Sequence, residues 1–364
     1  MLYKTCLPKP DGRKLLLYSR SSIARNIEAP SPNLNPIRAN PHLRWHPLLG
    51  EWVAYASHRQ ERTFLPPPEY NPLAPTRSRD FPTELPEGDY EIAVFDNLFP
   101  SMALSAELTQ EGSQLSTPTR PANGCCEVIV FSQNAETSLG KLPLGQIELL
   151  LEVWADRVLE IGGREEIQYV MPFENRGIEM GVTLHHPHGQ IYAYPFIPPT
   201  PARELENQKK YYEKTGRGLM SDFIADELKD GRRIIFHSDE VIAFIPACAR
   251  YPYEVWIAPK TPVATVSDLS PSQRKDFARA LKTVTLKYDG LWNKAFPYLM
   301  IFKQAPTDGR AHPESHFHLQ FYPAYRAPNR LKYLAGTEIG AGMFANDSLP
   351  EAKAEELRKV EVSL

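Results

Sequence analysis

The sequence predicts an α+β fold of two tandem copies of one unit, built of antiparallel sheets with packed helices, and three observations carry that prediction. The chain matches itself in order at an offset of about 127 to 130 residues, from Cys126 against Tyr253 to His186 against His316. Each copy runs strand, helix, strand and then a His-x-His-x-Gln strand. The composition, 42% hydrophobic and 23% charged over 364 residues, is that of a globular chain and excludes disorder or a fibrous repeat as a description of the whole. A chain of this length buries roughly three quarters of its unfolded surface, enough for one large core or two smaller ones.

The elements follow in chain order. Met1-Leu2-Tyr3-Lys4-Thr5-Cys6 leads into a polar, proline-bearing stretch with no apolar run ending in small residues, so no secretory signal is expected. Residues 1–38 read as an N-terminal extension, either a cover for a dimer surface or a loose arm. The first copy occupies 39–201 and the second 202–364. Cys126-Glu127-Val128-Ile129-Val130 aligns with Tyr253-Glu254-Val255-Trp256-Ile257, and both β-branched runs read as strands. Pro143 introduces the apolar helical spacing of Ile147–Trp154 as Pro271 introduces that of Phe277–Val284, proline being tolerated in a first turn. Tyr169–Phe173 and Tyr298–Phe302 are the next pair of strands. His186-Pro187-His188-Gly189-Gln190-Ile191-Tyr192 then aligns with His316-Phe317-His318-Leu319-Gln320-Phe321-Tyr322. Between the copies, about residues 202 to 236 read as a mostly polar helical connection. Proline is abundant, at 35 residues, and its clusters Leu65-Pro66-Pro67-Pro68 and Phe196-Ile197-Pro198-Pro199-Thr200-Pro201 read as extended loops.

Charge and cysteine usage exclude other classes. Lys plus Arg number 41 against 44 for Asp plus Glu, a net charge of −3 with no basic excess for phosphate backbones, so nucleic acid is not an expected partner. No window reaches the ~18 apolar residues of a membrane span. Cys6, Cys125, Cys126 and Cys248 form neither a disulfide framework nor a CxxC zinc spacing, and the chain reads as cytoplasmic. Cys125 and Cys126 read as buried small residues.

On a strand alternate residues share a face, so His186, His188 and Gln190 are expected to form one polar ridge, with Gly189 allowing close approach of a ligand. Two chemistries fit such a ridge. Imidazoles ligate metals, but three or four donors are needed and neither a cysteine pair nor an HExxH helix is at hand. A neutral imidazole is otherwise a nucleophile, provided that one ring nitrogen keeps its proton on an acceptor such as a backbone carbonyl while the other attacks. Gln190 would donate to a phosphate oxygen without activating water, which favours transfer over hydrolysis.

Phe173-Glu174-Asn175-Arg176-Gly177 followed by His186-Pro187-His188-Gly189-Gln190-Ile191 resembles the signature of the galactose-1-phosphate uridylyltransferases, in the histidine-triad (HIT) superfamily. The likeness extends through Arg44–Leu48, Glu51–Val53, Ser57–Arg62, Phe95–Phe99 and Lys332–Glu338, over roughly residues 40 to 360. It implies tandem HIT-like domains, the first catalytic, and a ping-pong exchange of UMP between UDP-glucose and galactose 1-phosphate. By resemblance His188 matches the nucleophile that becomes uridylylated, Gln190 the residue holding the transferred phosphoryl group, and His186 the first histidine of the motif. Arg59 and Arg62 match phosphate-binding arginines, a solvated face being the bland alternative for two arginines three apart. Asn97 and Asn175 match nucleotide and phosphate contacts, Asn175 having a turn residue as its bland alternative. Lys332, Tyr333 and Glu338 match the sugar-phosphate segment that crosses to the partner subunit, which implies a homodimer with shared sites. The second ridge, His316 and His318, reads as structural.

The chain also departs from this pattern. Many members hold zinc with a CxxC pair, a later His and the first His of the motif. Here no CxxC exists, Ala135 or its neighbours stand where the later His is expected, and His186 alone remains. At a second family metal site Glu204 and His318 match two ligands, while Lys303 and Gln320 stand where histidines would be; Lys303 is expected to pair with Glu204 in place of a cation. No metal or other cofactor is expected to be required. Glu338-Ile339-Gly340-Ala341-Gly342-Met343-Phe344-Ala345-Asn346 resembles the branch that includes ADP-glucose phosphorylases, with Phe344 where a sugar-binding Gln is expected. An adenylyltransferase of that kind is therefore the alternative reading. A HIT-type nucleotide hydrolase is disfavoured by Gln190, and a non-catalytic nucleotide-binding protein would leave the intact nucleophile unexplained.

Overall fold

The computed structural model describes residues 1–61, 66, 70–78, 80–108 and 115–364. Arg62 and the run Leu65–Pro68, apart from Pro66, lie outside them. The chain begins with a hairpin of β1 (Tyr3–Pro8) and β2 (Lys14–Ser19). It continues through β3 (His42–His46), β4 (Glu51–Tyr55), β5 (Ile92–Asp96), β6 (Thr119–Pro121) and β7 (Cys125–Val130). Helix α1 (Leu144–Gly162) leads to β8 (Tyr169–Arg176) and β9 (His188–Tyr194). Two helices follow, α2 (Pro199–Thr215) and α3 (Leu219–Asp230). The second copy comprises β10 (Ile234–His237), β11 (Val241–Phe244), β12 (Val255–Pro259), α4 (Pro271–Gly290), β13 (Tyr298–Lys303) and β14 (His318–Pro323). A small ribbon of β15 (Tyr325–Ala327) and β16 (Arg330–Leu331) precedes α5 (Gly336–Ala341) and α6 (Pro350–Arg358).

Eleven of these strands form one sheet, ordered β1-β2-β5-β7-β9-β8-β13-β14-β12-β11-β10, with antiparallel neighbours throughout. The paired repeats emerge as equivalent elements: β7 with β12, α1 with α4, β8 with β13, β9 with β14. The two copies meet where β8 pairs β13, Phe173 opposite Ile301 and Arg176 opposite Tyr298, so that the antiparallel ladder crosses the junction without a break. A separate sheet, β4-β3-β6, carries the edge-to-face pair Trp45 and Trp52.

One face of the large sheet is covered by α1 and α4, which pack on each other. Both helices turn apolar residues to that face at helical spacing, Ile147, Leu150, Leu151, Trp154 and Val158 from α1 and Phe277, Leu281, Val284 and Tyr288 from α4. Trp154 lies edge-on to Phe131 of the first copy and Phe302 of the second, with centroids 5.7 and 4.8 Å away, and ties the two halves into one core. The start of α4 is fixed by a capping box: the Ser270 hydroxyl accepts from Gln273 N–H and the Gln273 carboxamide accepts from Ser270 N–H.

The connection between the copies is helical as expected over most of 202–236, in two helices, and its last residues turn into a strand. Gly216 in the left-handed region (φ 70°) ends α2 and Gly231 (φ 73°) ends α3, after which Ile234 starts a strand. The Phe196–Pro201 run, by contrast, is not wholly extended. Pro199 and Pro201 lie in the first turn of α2, where the missing N–H groups have no intrahelical acceptor to lose.

The stretch before residue 39 supplies β1 and β2 to the sheet. Leu15, Leu16, Leu17 and Tyr18 are all buried, between β1 on one side and β5 on the other. A buried charge cluster closes the hairpin. Arg13 donates to the Asp11 carboxylate at 2.7 Å and to Glu84 at 2.8 Å, while Lys9 pairs with Glu84 at 2.8 Å.

Candidate active site

Strand β9 alternates buried and half-buried residues. Gly189, Ile191 and Ala193 face the helical core, and His188, Gln190, Tyr192 and Tyr194 face the other way. Gly189 therefore does not serve ligand approach, as the sequence suggested. It lies on the face opposite to His188, and a Cβ there would come within 2.9 Å of the Phe173 carbonyl oxygen and 3.1 Å of the Phe131 ring. Close packing of strand against core is its function. Gly189→Ala is expected to cost about 1–3 kcal/mol by overpacking, checked by a shift of the urea unfolding midpoint at unchanged slope.

The strand begins at His188, so His186 is not a third member of one ridge. Its ring is buried, 2% exposed, with Nε2 2.6 Å from the Ser132 carbonyl oxygen and Nδ1 3.0 Å from Asn71 Nδ2. His188 is held as nucleophilic chemistry requires. Its Nδ1–H donates to the His186 carbonyl at 2.7 Å, which leaves the Nε2 lone pair uncommitted. Burial lowers the pKa of His188 and outweighs the opposing effect of the carbonyl contact. The same penalty lowers that of His186. Both imidazoles are thus biased toward the neutral form at pH 7.

His188 stands where two cavities meet. A smaller one, about 120 Å³, is lined by His188, Gln190, Asn97, Arg59, Thr183 and Leu184. A larger one, about 470 Å³, is lined by His188, Asn175, Arg176, His185, Lys141 and Lys294 among others. In the smaller cavity a short relay sets the direction of Gln190. The Asn97 Oδ1 accepts Phe99 N–H at 2.9 Å, which turns its Nδ2 toward Gln190 Oε1 at 3.5 Å and leaves the Gln190 amide donors for another acceptor. Arg59, on a 3₁₀ turn over Ser57–Glu61, donates to the Phe99 carbonyl at 2.6 Å from the same wall. The structure thus brings His188, Gln190, Asn97 and Arg59 together around one cavity and Asn175 to the other side of His188.

Lys332, Tyr333 and Glu338 form a different group. Lys332 pairs with Glu338 at 2.9 Å and donates to the Ala345 carbonyl at 2.5 Å, while Glu338 accepts from Ala335 N–H. Bonding to Lys332, then to backbone N–H groups, holds the Glu338 carboxyl down at about 2. Tyr333 is 74% exposed, and among the described residues none of the three lines either cavity of the same chain.

Sequence reasoning missed several residues. Asn71 and Ser132 clamp His186; Asn71 lies between Tyr70 and Pro72 and reads locally as a turn residue. Thr183 lines the smaller cavity. Glu174, in the wall of the larger one, is 3% exposed and accepts from Tyr298 OH at 3.0 Å; burial pushes its carboxyl up to about 7. Its neighbour Arg176 makes a two-pronged ion pair with Asp289 of α4, at 2.7 and 2.9 Å.

The second copy keeps the frame and loses the opening. His318 Nδ1–H donates to the His316 carbonyl at 2.9 Å, and His316 Nε2–H donates to the Pro259 carbonyl at 2.7 Å, as His188 and His186 do with theirs. But Gln320 Nε2 caps His318 Nε2 at 3.0 Å, and the Trp256 ring lies 5.5 Å from it where the first copy has Val128, one residue out of step with the sequence alignment of Trp256 on Ile129, because strand pairing rather than residue type sets the register. Met220, Phe223 and Ile224 of α3 pack against Phe244 and Trp256 and close that face. The expected pair is present beside it: Lys303 Nζ contacts both Glu204 oxygens, at 2.9 and 3.1 Å.

Neither place suits a metal. Both ring nitrogens of His186 and of His318 are engaged, and Lys303 puts an ammonium where a cation would bind. Among the described residues, no group of three His, Cys, Asp or Glu side chains could hold a metal ion.

Known proteins resemble the chain over most of its length. Residues 33–198 match the N-terminal domain of galactose-1-phosphate uridyl transferase and residues 204–363 its C-terminal domain. A galactose-1-phosphate uridylyltransferase of Thermotoga maritima is 36% identical over 323 residues, 88% of this chain and 99% of that one. A solved uridylyltransferase superposes with a TM-score of 0.78 at 29% identity, over 88% of this chain and 98% of that one. An Arabidopsis thaliana ADP-glucose phosphorylase with bound ADP-glucose superposes at 0.66 and 25% identity, over 89% of this chain and all of the other.

Proposed function

The chain belongs to the galactose-1-phosphate uridyl transferase family, and from that premise we propose that it exchanges UMP between UDP-glucose and galactose 1-phosphate through a covalent uridylyl group on His188. One observation carries the residue assignment: the His188 Nδ1–H bond to the His186 carbonyl, which frees Nε2 for attack. In the first half-reaction the Nε2 lone pair forms a bond to the α-phosphorus of UDP-glucose while the bond to the bridging oxygen breaks and glucose 1-phosphate leaves with that oxygen. In the second a phosphate oxygen of galactose 1-phosphate attacks the same phosphorus, UDP-galactose forms, and the electron pair returns to Nε2. Throughout, the His186 carbonyl keeps the Nδ1 proton and shares the imidazolium charge. Gln190 donates to the phosphoryl oxygens and Arg59 offers a guanidinium at the same cavity, neither able to deprotonate water, so the intermediate waits for the second sugar phosphate.

Arg62 is assigned a phosphate contact beside Arg59, and Asn97 and Asn175 contacts to nucleotide and phosphate. Lys332, Tyr333 and Glu338 act in the cleft of a partner subunit, so the working unit is a homodimer; the exposed apolar side chains of Tyr333, Ile339 and Met343 support this. No metal is required, since ammonium and amide groups already engage the matching ligands. Among the described residues no helix is long and apolar enough to cross a membrane. The four free cysteines suit the reducing cytoplasm, where we place the enzyme.

Intact-protein mass after mixing with UDP-glucose tests the proposal. A UMP-sized adduct that galactose 1-phosphate removes is expected, and no adduct would overturn the covalent route. A second reading, adenylyl transfer from an ADP-sugar, is favoured by Phe344. Its ring packs 5.8 Å from Tyr251 and lies under the Arg250 guanidinium, occupied by aromatic and cationic neighbours where a sugar-binding Gln is expected. ADP-glucose in a parallel sample decides between the two by the mass of the adduct.

A further inference from the structure

We propose that Asn71 is a positioning residue that sets the nucleophile His188 through His186, by donating its amide N–H to the ring of His186; the inference rests on His188 being the nucleophile. The proton inventory of the cluster is determined by its fixed partners. Asn71 Oδ1 accepts Leu73 N–H at 3.0 Å, so the amide cannot turn over and its Nδ2–H faces His186 Nδ1 at 3.0 Å. The Ser132 carbonyl can only accept, so the His186 nitrogen 2.6 Å from it carries the proton. His186 is therefore the Nε2–H tautomer, its Nδ1 lone pair receiving the Asn71 proton. The opposite tautomer would set N–H against N–H at Asn71 and lone pair against lone pair at Ser132.

A ring pinned at both nitrogens fixes the residue that bears it. The His186 carbonyl is the acceptor that holds His188 Nδ1–H at 2.7 Å, and only Pro187, with its locked φ, separates the two histidines. Loosening the ring of His186 frees that carbonyl to turn, and with it the tautomer and aim of His188. The second copy supplies a contrast within the same chain. There His316 keeps the Nε2 contact to Pro259, but its buried Nδ1 has no partner among the described residues. That copy also caps its outer imidazole with Gln320. The Nδ1 donor is present where His188 is open to a cavity and lacking where the equivalent imidazole is sealed.

Three substitutions separate this role from simple packing. Asn71→Ala removes the donor and the Leu73 contact, Asn71→Ser restores a short donor, and Asn71→Asp offers His186 Nδ1 an acceptor, which pins the ring again once both its nitrogens carry protons. Single-turnover formation of the UMP adduct is expected to slow about 10- to 100-fold in the Ala variant, with the Kd for UDP-glucose changed less than about twofold. The Ser variant should recover part of the rate. In ¹⁵N spectra of the imidazoles, the Ala variant should lose the single Nδ1–H form of His188, and the Asp variant should show His186 protonated at both nitrogens. An Ala variant as fast as the unsubstituted protein, or one with the His188 tautomer unchanged, would overturn the proposal. A rate that tracks melting temperature across all three would do so as well. If the unsubstituted protein forms no adduct, the functional reading falls and this proposal with it; a normal adduct there with an equally fast Ala variant sinks the proposal alone.

Discussion

His188→Ala is expected to abolish nucleotidyl transfer, lowering turnover by about 10,000-fold or more, and to give no mass adduct with UDP-glucose. The size of the loss follows from the arrangement around the cavity. On the proposed function Gln190, Asn97 and Arg59 remain to hold a phosphate, so substrate is expected still to bind, but none of them can form the bond that splits one difficult displacement into two easier ones. KM is accordingly expected to move far less than kcat. The alanine removes one donor from the His186 carbonyl and leaves Ile191 and Ala193 in the core, so a folded protein with a near-normal melting curve is expected. Retention of more than about 1% of turnover would show that the phosphoryl group does not pass through this imidazole.

The pH dependence carries the sign of the same environment. Burial lowers the His188 pKa below its usual value of about 6.5, so the attacking neutral form persists as pH falls from 7 and is lost only below that value. The acid limb of adduct formation should therefore lie beneath 6.5. Glu174, pushed up to about 7, titrates above that limb in the wall of the larger cavity. Glu174→Gln isolates the imidazole, and an acid limb above 6.5 in that variant would contradict the assignment.

Much of this architecture was legible because it is local. Two strands that each read as β-branched runs became β7 and β12. Two prolines before apolar helical spacing became the starts of α1 and α4, and the doubled His-x-His-x-Gln became β9 and β14. Even the requirement that a backbone carbonyl hold the inner nitrogen of His188 follows from imidazole chemistry, whereas Lys303 against Glu204, 99 residues apart, is legible only through the resemblance to the family's second metal site. What stayed hidden depends on partners distant in sequence. Lys14-Leu15-Leu16-Leu17-Tyr18 shows no alternation because both faces are buried, and only its neighbours in the sheet make it a strand. The facing direction of Gly189 requires the register of β9 on β7. Asn71 sits 115 residues from the imidazole it touches, and nothing in its own neighbourhood distinguishes it from a turn. The joining of both copies through β8 and β13 likewise has no local signal, since either strand could have been an edge.

The hidden N-terminal hairpin predicts the largest loss of stability. Arg13 is expected to be indispensable: Arg13→Met should destabilise the fold by about 3–5 kcal/mol. Its guanidinium binds Asp11 and Glu84, whose side chains are 0% and 6% exposed, and its NH1 donates to the Asp96 carbonyl at 3.0 Å. With Lys9 these groups number two cations and two anions, neutral as a set; removing Arg13 leaves one buried negative charge in excess. The cost is that of an uncompensated charge rather than of a lost attraction, so the double variant Arg13→Met with Glu84→Gln should lose less than the single one. Acid sensitivity gives a second readout. Desolvation raises the Asp11 carboxyl, but bonds from Arg13 and Ser31 outweigh it and hold the group below its usual value. That contribution is present above the unfolded carboxylate pKa and is lost as pH falls through the lower folded one. Without Arg13 the Asp11 pKa rises and the acid unfolding midpoint should move to higher pH. Asp96 precedes Asn97, whose amide directs Gln190, so turnover per folded molecule should fall as well. A single variant that loses under about 1 kcal/mol, or a double variant that loses more than the single, would refute the argument that this cluster ties the first residues of the chain to the wall of the cavity beside His188.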